Sequence, residues 1–358
     1  MTVKQVSIIA PMLNEARHVE QFVRDIAGQD FGGDLELLVA DGGSTDDSVE
    51  RLRRAADEHG VALKLVVNPS GWVSHGLNEC VRSATGDLLV RLDCHSRYPS
   101  DYLRLCARAA EETGAPVVGG VIVAEGQSVM ERSVACAMDS PFGGIGFYRV
   151  FTGAGTFDRL AGAFGLPRTR RDSKNRRVDT DTLTFGAFRP EVFRTVGLFD
   201  ESLRRNQDDE FNLRVRRSGG RVVLDPAIRV HYTPRGSWGG VFRQYFEYGY
   251  WKVPVMLKHH ELPGPRSLTP AAFLVSVGIL LPASGRFRLA RILLSAELAL
   301  YFALALGSGV SSIRRRREPL SLLPRVVAVF PAFHVGYGWG MLRGFVRAGR
   351  GGDRRVGG

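Results

Sequence analysis

The segments VSIIAPMLNE at residues 6–15, LLVADGGSTDD at 37–47 and LLVRLDCHSR at 88–97 decide the fold. In each segment a short apolar run ends abruptly in polar residues, and amphipathic stretches separate the runs along the chain. Strands and helices that alternate in this way are typical of a Rossmann-like, mostly parallel sheet with helices on both faces. The predicted strands are residues 6–10, 35–40, 63–67 and 88–92.

Polar loops follow all four predicted strands. They are residues 11–15, 41–47, 68–72 and 93–97. Ligands of parallel sheets bind at the carboxyl ends of the strands, where the loops leave the sheet. We therefore expect one site at this edge.

Asp41 is the last residue of an otherwise apolar strand, so its carboxylate is expected at the ligand edge. There it can accept hydrogen bonds from a nucleobase or a ribose. The residues after it have an ordinary structural interpretation too, because Ser44 or Thr45 is suited to cap the next helix and Asp46 to lie in its first turn.

Asp93 and His95 flank one residue at the exit of the fourth strand. A carboxylate oxygen and an imidazole nitrogen together suit Mn²⁺ or Mg²⁺ that bridges a diphosphate, and Mn²⁺ matches imidazole better. The D-x-H triplet alone is a weak signal. Its position on the same edge as Asp41 strengthens the hypothesis of a metal site.

Two further candidates lie later in the chain. Three acids, at residues 208–210, lie at the start of a helix predicted at 209–218. Asp209 and Glu210 are accounted for by the stabilising effect of negative charge at a helix N-terminus. Asp208 is expected to precede the first turn and to act as a general base. His231, at the end of the last predicted strand, is a possible metal ligand, although a single histidine there is about as often structural.

These motifs, in this order, resemble glycosyltransferase family 2, the inverting enzymes of the GT-A fold. The stretch with Pro11, Asn14 and Glu15 looks like the family's opening strand and V-P-x-x-N-E loop, and the stretch with Asp41 and Ser44 looks like its D-G-S-x-D motif for the nucleotide. Asp93-Cys94-His95 stands in place of D-x-D, and Gln207-Asp208 in place of the E-D base motif. The resemblance covers about residues 5–235.

The resemblance implies a nucleotide-sugar donor, bound by these residues, and a divalent metal held at Asp93 and His95. The sequence differs from the family motifs at two positions. His95 replaces the usual last Asp, which keeps a ligand but changes its charge, as in the D-x-H of mucin-type N-acetylgalactosaminyltransferases. Gln207 replaces the Glu before the base, which removes a charge that would raise the pKa of Asp208.

Several segments look like the bacterial exopolysaccharide branch typified by succinoglycan glucosyltransferases. They are residues 91–99, 185–189 and 244–252. This likeness implies a lipid-linked saccharide acceptor and UDP-hexose as donor in exopolysaccharide or cell-envelope glycan synthesis. It also implies other polysaccharide-assembly proteins as partners.

Residues 126–178 are rich in glycine and arginine and lose the alternating pattern, so they are predicted to form a loop. This loop would be either a lid over a substrate cleft or an insertion without function. The regular elements predicted after it are at 189–196, 209–218, 221–224 and 228–232. The predicted organisation is a catalytic domain at 1–235, an interfacial aromatic and basic helix with a linker at 236–266, membrane helices at 267–345 and a basic flexible tail at 346–358.

The charge of the chain is concentrated at its end. Of the net +11, residues 267–358 carry almost all, with 13 arginines against three acids, and this distribution argues against nucleic acid as a partner of the N-terminal part. The same region holds apolar stretches at 268–283, 289–310 and 326–342, which indicates membrane helices with cytoplasmic arginine flanks. Glu297, inside the middle stretch, is expected to face a neighbouring helix or headgroups.

The first residues lack the apolar core of a signal peptide, and the four scattered cysteines suit a reducing compartment. We therefore expect a catalytic domain in the cytoplasm and membrane helices in the inner (plasma) membrane. Three full crossings would place the five arginines from 343 onward outside, against the positive-inside tendency. The sequence favours two crossings, with 326–342 as the stretch that does not span and a cytosolic C-terminus.

Two other interpretations stay open. The same donor site could transfer the sugar to polyprenyl phosphate, as dolichol-phosphate-mannose synthases do. From another class, the chain could be a catalytically silent membrane scaffold with a sugar-nucleotide-binding domain, although the presence of Asp41, Asp93 and Asp208 weighs against that.

Overall fold

The computed structural model describes residues 2–143, 177–261 and 265–350. Contacts divide these residues into two units, the first formed by 2–123 with 177–232 and the second by 124–143 with the chain from 233 onward.

The first unit contains a sheet and its helices. The strands are β1 (Gln5–Met12), β2 (Asp34–Asp41), β3 (Leu63–Val67), β4 (Leu88–Arg91), β5 (Ser96–Arg97), β6 (Val117–Ala124), β7 (Val178–Asp179), β8 (Gly186–Phe188) and β9 (Val222–Tyr232). The last residue of β6 already belongs to the second unit. The helices are α1 (Val19–Ala27), α2 (Ser48–His59), α3 (Val73–Ser83), α4 (Tyr102–Thr113), α6 (Pro190–Val196) and α7 (Gln207–Arg217). α5 (Val129–Met138) belongs to the second unit.

The strand order is β3-β2-β1-β4-β8-β6-β9-β5, with β7 paired to β9. β1 pairs in parallel with β2 and β4, and β2 pairs in parallel with β3. The four N-terminal strands therefore form the parallel half that the alternating pattern predicts. The other half is antiparallel where β8 meets β4 and β6, and where β5 and β7 meet β9.

The parallel strands are apolar because helices cover them. Ile8 of β1, Val39 of β2 and Val90 of β4 are fully buried, and they belong to one core with Phe22 of α1 and Tyr102 of α4. A strand that is buried on both faces has a continuous run of apolar residues, and this is why these strands can be predicted from the sequence. The polar residues after each run lie at the carboxyl edge of the sheet.

Three predicted boundaries were wrong. α7 begins at Gln207, two residues early, because Asn206 adopts the left-handed conformation (φ 62°) that asparagine tolerates, so Asp208 lies inside the first turn. α2 begins at Ser48, and its N-cap residue is Asp47 without a side-chain cap, rather than Ser44 or Thr45. The two predicted strands around Pro226 are one strand, β9.

The predicted loop at 126–178 was wrong at its start, because α5 (Val129–Met138) lies there. A capping box begins this helix: the Ser128 hydroxyl accepts the Glu131 N–H at 3.2 Å, and the Glu131 carboxylate accepts the Ser128 N–H at 3.1 Å. The S-x-x-E spacing was readable in the sequence. The remainder, residues 144–176, for which a lid was considered, lies outside the described residues.

The second unit consists of helices. After α5 and a 3₁₀ turn (Pro141–Gly143) come α8 (Trp238–His259), α9 (Pro265–Ser284), α10 (Arg288–Arg316), a 3₁₀ turn (Leu320–Leu322) and α11 (Leu323–Gly349). The segments Ser267–Ser284, Arg288–Arg316 and Leu320–Gly349 are long and apolar enough to cross a membrane. The Ser276 hydroxyl of α9 donates to the Glu297 carboxylate of α10 at 2.8 Å, which confirms that this acid faces a neighbouring helix.

Candidate active site

The loops after β1 and β2 are joined by their own side chains. The Ser44 hydroxyl accepts the Asn14 N–H at 2.9 Å, and the Asn14 side-chain oxygen accepts the Thr45 N–H at 2.8 Å. The backbone of Asn14 is left-handed (φ 55°), a conformation that asparagine tolerates, and it directs the side chain toward the Thr45 N–H. Two loops about thirty residues apart in sequence thus form one rigid rim.

Asp41 anchors the second loop. Its carboxylate accepts the Ser44 hydroxyl at 2.6 Å and the Gly43 and Ser44 N–H groups at 3.2 Å each. Pro11 lies in β1 beside Ala40 in the parallel register, just before this rim. The loop after β3 joins as well, because the Asn68 N–H donates to the Asp41 carbonyl at 3.2 Å. Three of the four predicted loops therefore meet at one edge.

Asp93 follows β4 and is held through its backbone. The buried Tyr98 hydroxyl accepts the Asp93 N–H at 2.7 Å and donates to the Asp93 carbonyl at 3.2 Å. Arg91 lies 3.3 Å from the Asp93 carboxylate. The backbone and the side chain of Asp93 are thereby both oriented before any ligand binds.

His95 is oriented by the loop after β1. Its Nδ1 lies 2.9 Å from the Glu15 carboxylate, and its ring meets the Tyr232 ring edge-on at 6.4 Å. The structure thus brings Glu15, predicted as a nucleotide ligand, to the candidate metal ligand. His231 pairs in register with Arg97, next to Tyr232 in β9, and its metal role stays a prediction.

Asp208 has a polar yet largely dry environment. Its side chain is 19% exposed, and one oxygen accepts the Asp209 N–H at 2.9 Å. Burial, and next the charge of Asp209, raise the pKa of Asp208 to about 6, while the Arg91 guanidinium acts in the opposite direction. The pKa is raised although Gln207 carries no charge, because burial and Asp209 supply the effect.

Arg91 is the site residue to which the sequence pattern assigned no role. Its guanidinium, 7% exposed, lies 3.3 Å from Asp93 and 3.9 Å from Asp208, and so connects the candidate metal ligand to the candidate base. It also donates to the Thr184 carbonyl at 3.4 Å. A charged residue in an otherwise apolar strand, two residues before Asp93, was the available signal.

The residues present fit a divalent cation shared with a diphosphate. The described residues contain no cluster of three or more His, Cys, Asp or Glu side chains that could hold an ion alone. Ions that activate phosphates are commonly held by one or two protein groups together with the substrate's own oxygens. The contact between Glu15 and His95 also matches the usual support of a metal-binding imidazole, whose second nitrogen donates to a carboxylate.

Comparison with known proteins identifies the class. The family model of glycosyl transferase family 2 matches residues 7–196. The succinoglycan biosynthesis protein ExoA of Rhizobium meliloti is 30% identical over 339 residues, which are 94% of this chain and 93% of that protein. The chain therefore belongs to glycosyltransferase family 2.

Two other relatives have names that mention different lipid phosphates and different sugars. The dolichyl N-acetyl-α-D-glucosaminyl phosphate 3-β-D-2,3-diacetamido-2,3-dideoxy-β-D-glucuronosyltransferase of Methanococcus voltae is 22% identical over 96% of this chain and 97% of its own length. An undecaprenyl-phosphate 4-deoxy-4-formamido-L-arabinose transferase of Klebsiella pneumoniae is 31% identical over 37% of this chain and 41% of its own length.

Among solved structures, the fold is similar to that of the mannosyltransferase PcManGT of Pyrobaculum calidifontis, crystallised with GDP-Man and Mn²⁺. The TM-score is 0.63 at 21% identity, over 95% of this chain and 88% of that one. This likeness confirms the predicted GT-A fold.

Proposed function

We propose that the protein is an inverting, metal-dependent hexosyltransferase. It moves a sugar from a nucleotide-sugar, UDP-hexose in our proposal, to a hydroxyl of a lipid-linked glycan in exopolysaccharide or cell-envelope synthesis. It works at the inner (plasma) membrane with its catalytic domain in the cytoplasm. The likeness to the succinoglycan protein over 94% of the chain supports the pathway class.

The observation that carries the proposal is the pairing of Asp208 with Asp93 through Arg91. An inverting transfer needs a base on one side of the anomeric carbon and support for the leaving diphosphate on the other. Asp208, with a pKa of about 6, is largely deprotonated at neutral pH yet basic enough to accept a proton. These are the properties of a general base.

The proposed chemistry is one displacement. The acceptor hydroxyl loses its proton to the Asp208 carboxylate as its oxygen forms the bond to the anomeric carbon. The bond from that carbon to the diphosphate oxygen breaks with both electrons, the nucleoside diphosphate leaves, and the configuration inverts. When bound at Asp93 and His95, Mn²⁺ or Mg²⁺ would supply charge stabilisation of several kcal/mol to the leaving diphosphate.

A second candidate is transfer to polyprenyl phosphate. The observation that favours it is the likeness of 137 residues to an undecaprenyl-phosphate transferase. Both candidates share the donor site, and they differ in the attacking oxygen. A sugar hydroxyl must lose its proton to a base, whereas a phosphate oxygen is already anionic at neutral pH.

The test incubates membranes that contain the full chain with a panel of radiolabelled nucleotide-sugars and Mn²⁺. We expect label from one sugar in the lipid extract, on a glycan of at least two sugars joined to a lipid diphosphate. Label on a single sugar joined to polyprenyl monophosphate would instead establish the second candidate. Membranes with the Asp208→Asn chain serve as the control, and equal labelling by that variant would contradict the assigned base.

A further inference from the structure

The last helix, α11, is long and apolar enough to cross a membrane, but α5 and α8, which pack against it, are not among the segments with that property. Two segments of the second unit pack along it, α5 near its first half and α8 along its second half. Their contacts determine the depth at which α11 can lie.

The first half of α11 packs against the end of the α5 segment. The Phe142 ring meets the Phe330 ring at 5.2 Å and the His334 ring at 4.7 Å, and His334 Nε2 lies 2.9 Å from the Phe142 carbonyl oxygen. α5 has only ten residues and begins five residues after the sheet strand β6 ends, so it stays on the catalytic side of the membrane. This half of α11 is therefore on that side too.

The second half of α11 packs directly on α8. A Cβ atom at Gly336 would lie 2.9 Å from the Phe242 carbonyl oxygen, and one at Gly344 would lie 3.0 Å from that of Tyr250. At Gly340, between them, a Cβ atom would overlap the Phe246 carbonyl oxygen. The three glycines are one turn apart and meet α8 residues that are also one turn apart, so the helices run parallel in backbone contact.

α8 is too polar to enter the hydrocarbon. It contains Arg243, Glu247, Lys252 and Lys258, and it begins six residues after β9 ends. Each charged residue at the centre of a bilayer costs about 2.5–3.5 kcal/mol on insertion scales. Because α11 runs parallel to α8 and in contact with it over several turns, α11 lies at the same shallow depth in the membrane as α8.

The hairpin of α9 and α10 has different surroundings. α11 meets α9 near its start, where Gly338 approaches Pro270. It meets α10 near its end, at Gly309, and at its middle, where the Tyr301 hydroxyl lies 2.8 Å from His334 Nδ1. Elsewhere on the surface of the hairpin, apolar side chains are open: Ile279 is 63%, Leu289 67% and Leu300 62% exposed. Such a surface suits contact with lipid.

We propose that only the α9–α10 hairpin crosses the membrane, while α5, α8 and α11 form one platform in the leaflet on the catalytic side. Trp339 and Val346, seven residues apart on α11, are each 53% exposed and offer an apolar face to the acyl boundary. Arg343 of the same helix and Arg350, directly after its last residue, provide charge for anionic headgroups. The C-terminus then lies on the catalytic side.

Thiol labelling tests this topology independently of enzymatic activity. Gly285→Cys, Arg314→Cys and Arg350→Cys place thiols at the turn of the hairpin, the end of α10 and the end of α11, while the four native cysteines are buried. With a membrane-impermeant maleimide and intact bacteria, we expect labelling at 285 only, and labelling at 314 and 350 after permeabilisation. Labelling at 350 in intact cells would overturn the proposal, as would protection at 285.

Fluorescence quenching tests the depth of α11 directly. Trp339 lies near the middle of the helix, so a crossing α11 would hold it near the bilayer centre, and a shallow α11 would hold it near the headgroups. In proteoliposomes with brominated lipids, the difference between the full chain and its Trp339→Phe variant reports this residue. We expect stronger quenching by bromine at shallow acyl carbons. Stronger quenching by bromine near the chain ends would overturn the shallow placement.

Discussion

The rim formed by the loops after β1 and β2 differs from the carboxylate cluster at β4 and α7 in how it is held. The rim uses hydrogen bonds among half-exposed or exposed groups. Some join neutral groups, such as Asn14 and Ser44, and others are accepted by the Asp41 carboxylate. The cluster uses charges with little exposure: Arg91 is 7%, Asp93 16% and Asp208 19% exposed.

This difference predicts which part of the site is more sensitive to substitution. A neutral hydrogen bond contributes about 0.5–1.5 kcal/mol net, whereas breaking a buried ion pair costs about 3–5 kcal/mol because one charge is left without compensation. We therefore expect changes in the cluster to affect chemistry strongly, and changes in the rim to affect donor binding mildly.

The largest effect is expected from Asp208→Asn. It removes the proton acceptor while keeping the size of the side chain, so turnover should fall by about 10²–10⁴-fold with folding and donor binding preserved. Asp209→Asn is the matched control, because Asp209 accepts the Thr182 hydroxyl and is not the assigned base. If the control lost more turnover than Asp208→Asn, the base would be Asp209.

Asp93→Ala and His95→Ala should each weaken the binding of Mn²⁺ and of the donor. Glu15→Gln should have a smaller effect, about 10–100-fold in metal affinity, because Glu15 orients the imidazole and is not one of the two proposed metal ligands. Titration of Mn²⁺ by electron paramagnetic resonance, with the nucleoside diphosphate present, measures these affinities. Unchanged affinity in both alanine variants would mean that the cation binds elsewhere.

The pH profile should report the environment of Asp208. Only the deprotonated carboxylate accepts a proton, and its pKa is about 6, so kcat/KM should be level above pH 7 and fall about tenfold per pH unit below 6. Arg91→Lys should move this limb to higher pH by less than Arg91→Met, which removes a charge that lowers the pKa. Arg104→Met, at an exposed pair with Asp30, should leave the profile unchanged.

The smallest effect is expected from the rim. Ser44→Ala removes the bonds to Asn14 and Asp41, so the KM for the donor should rise about fivefold, equivalent to roughly 1 kcal/mol, with kcat nearly unchanged. Thr195→Ala, on α6, is the control. A large loss of kcat in Ser44→Ala would remove the distinction between the rim and the cluster.

The parallel half of the sheet and its ligand edge were predictable from the sequence. Buried strands read as apolar runs, and the residues that end them, such as Asp41 and Asp93, lie at one edge because parallel strands share a direction. The start of α5 was predictable as well, since a capping box is a local motif. The start of α7 was not, because it depends on the left-handed backbone of Asn206.

What the sequence by itself determined is the order of motifs, the α/β class and the presence of apolar C-terminal helices, because each follows from residues near one another in the chain. Only the tertiary structure decided that Arg91 lies between Asp93 and Asp208, that Glu15 supports His95, and that the glycines of α11 pack on α8. These contacts join residues up to 117 positions apart in the chain, as for Arg91 and Asp208. Their partners are selected by packing and by the balance of buried charge, which no local pattern records.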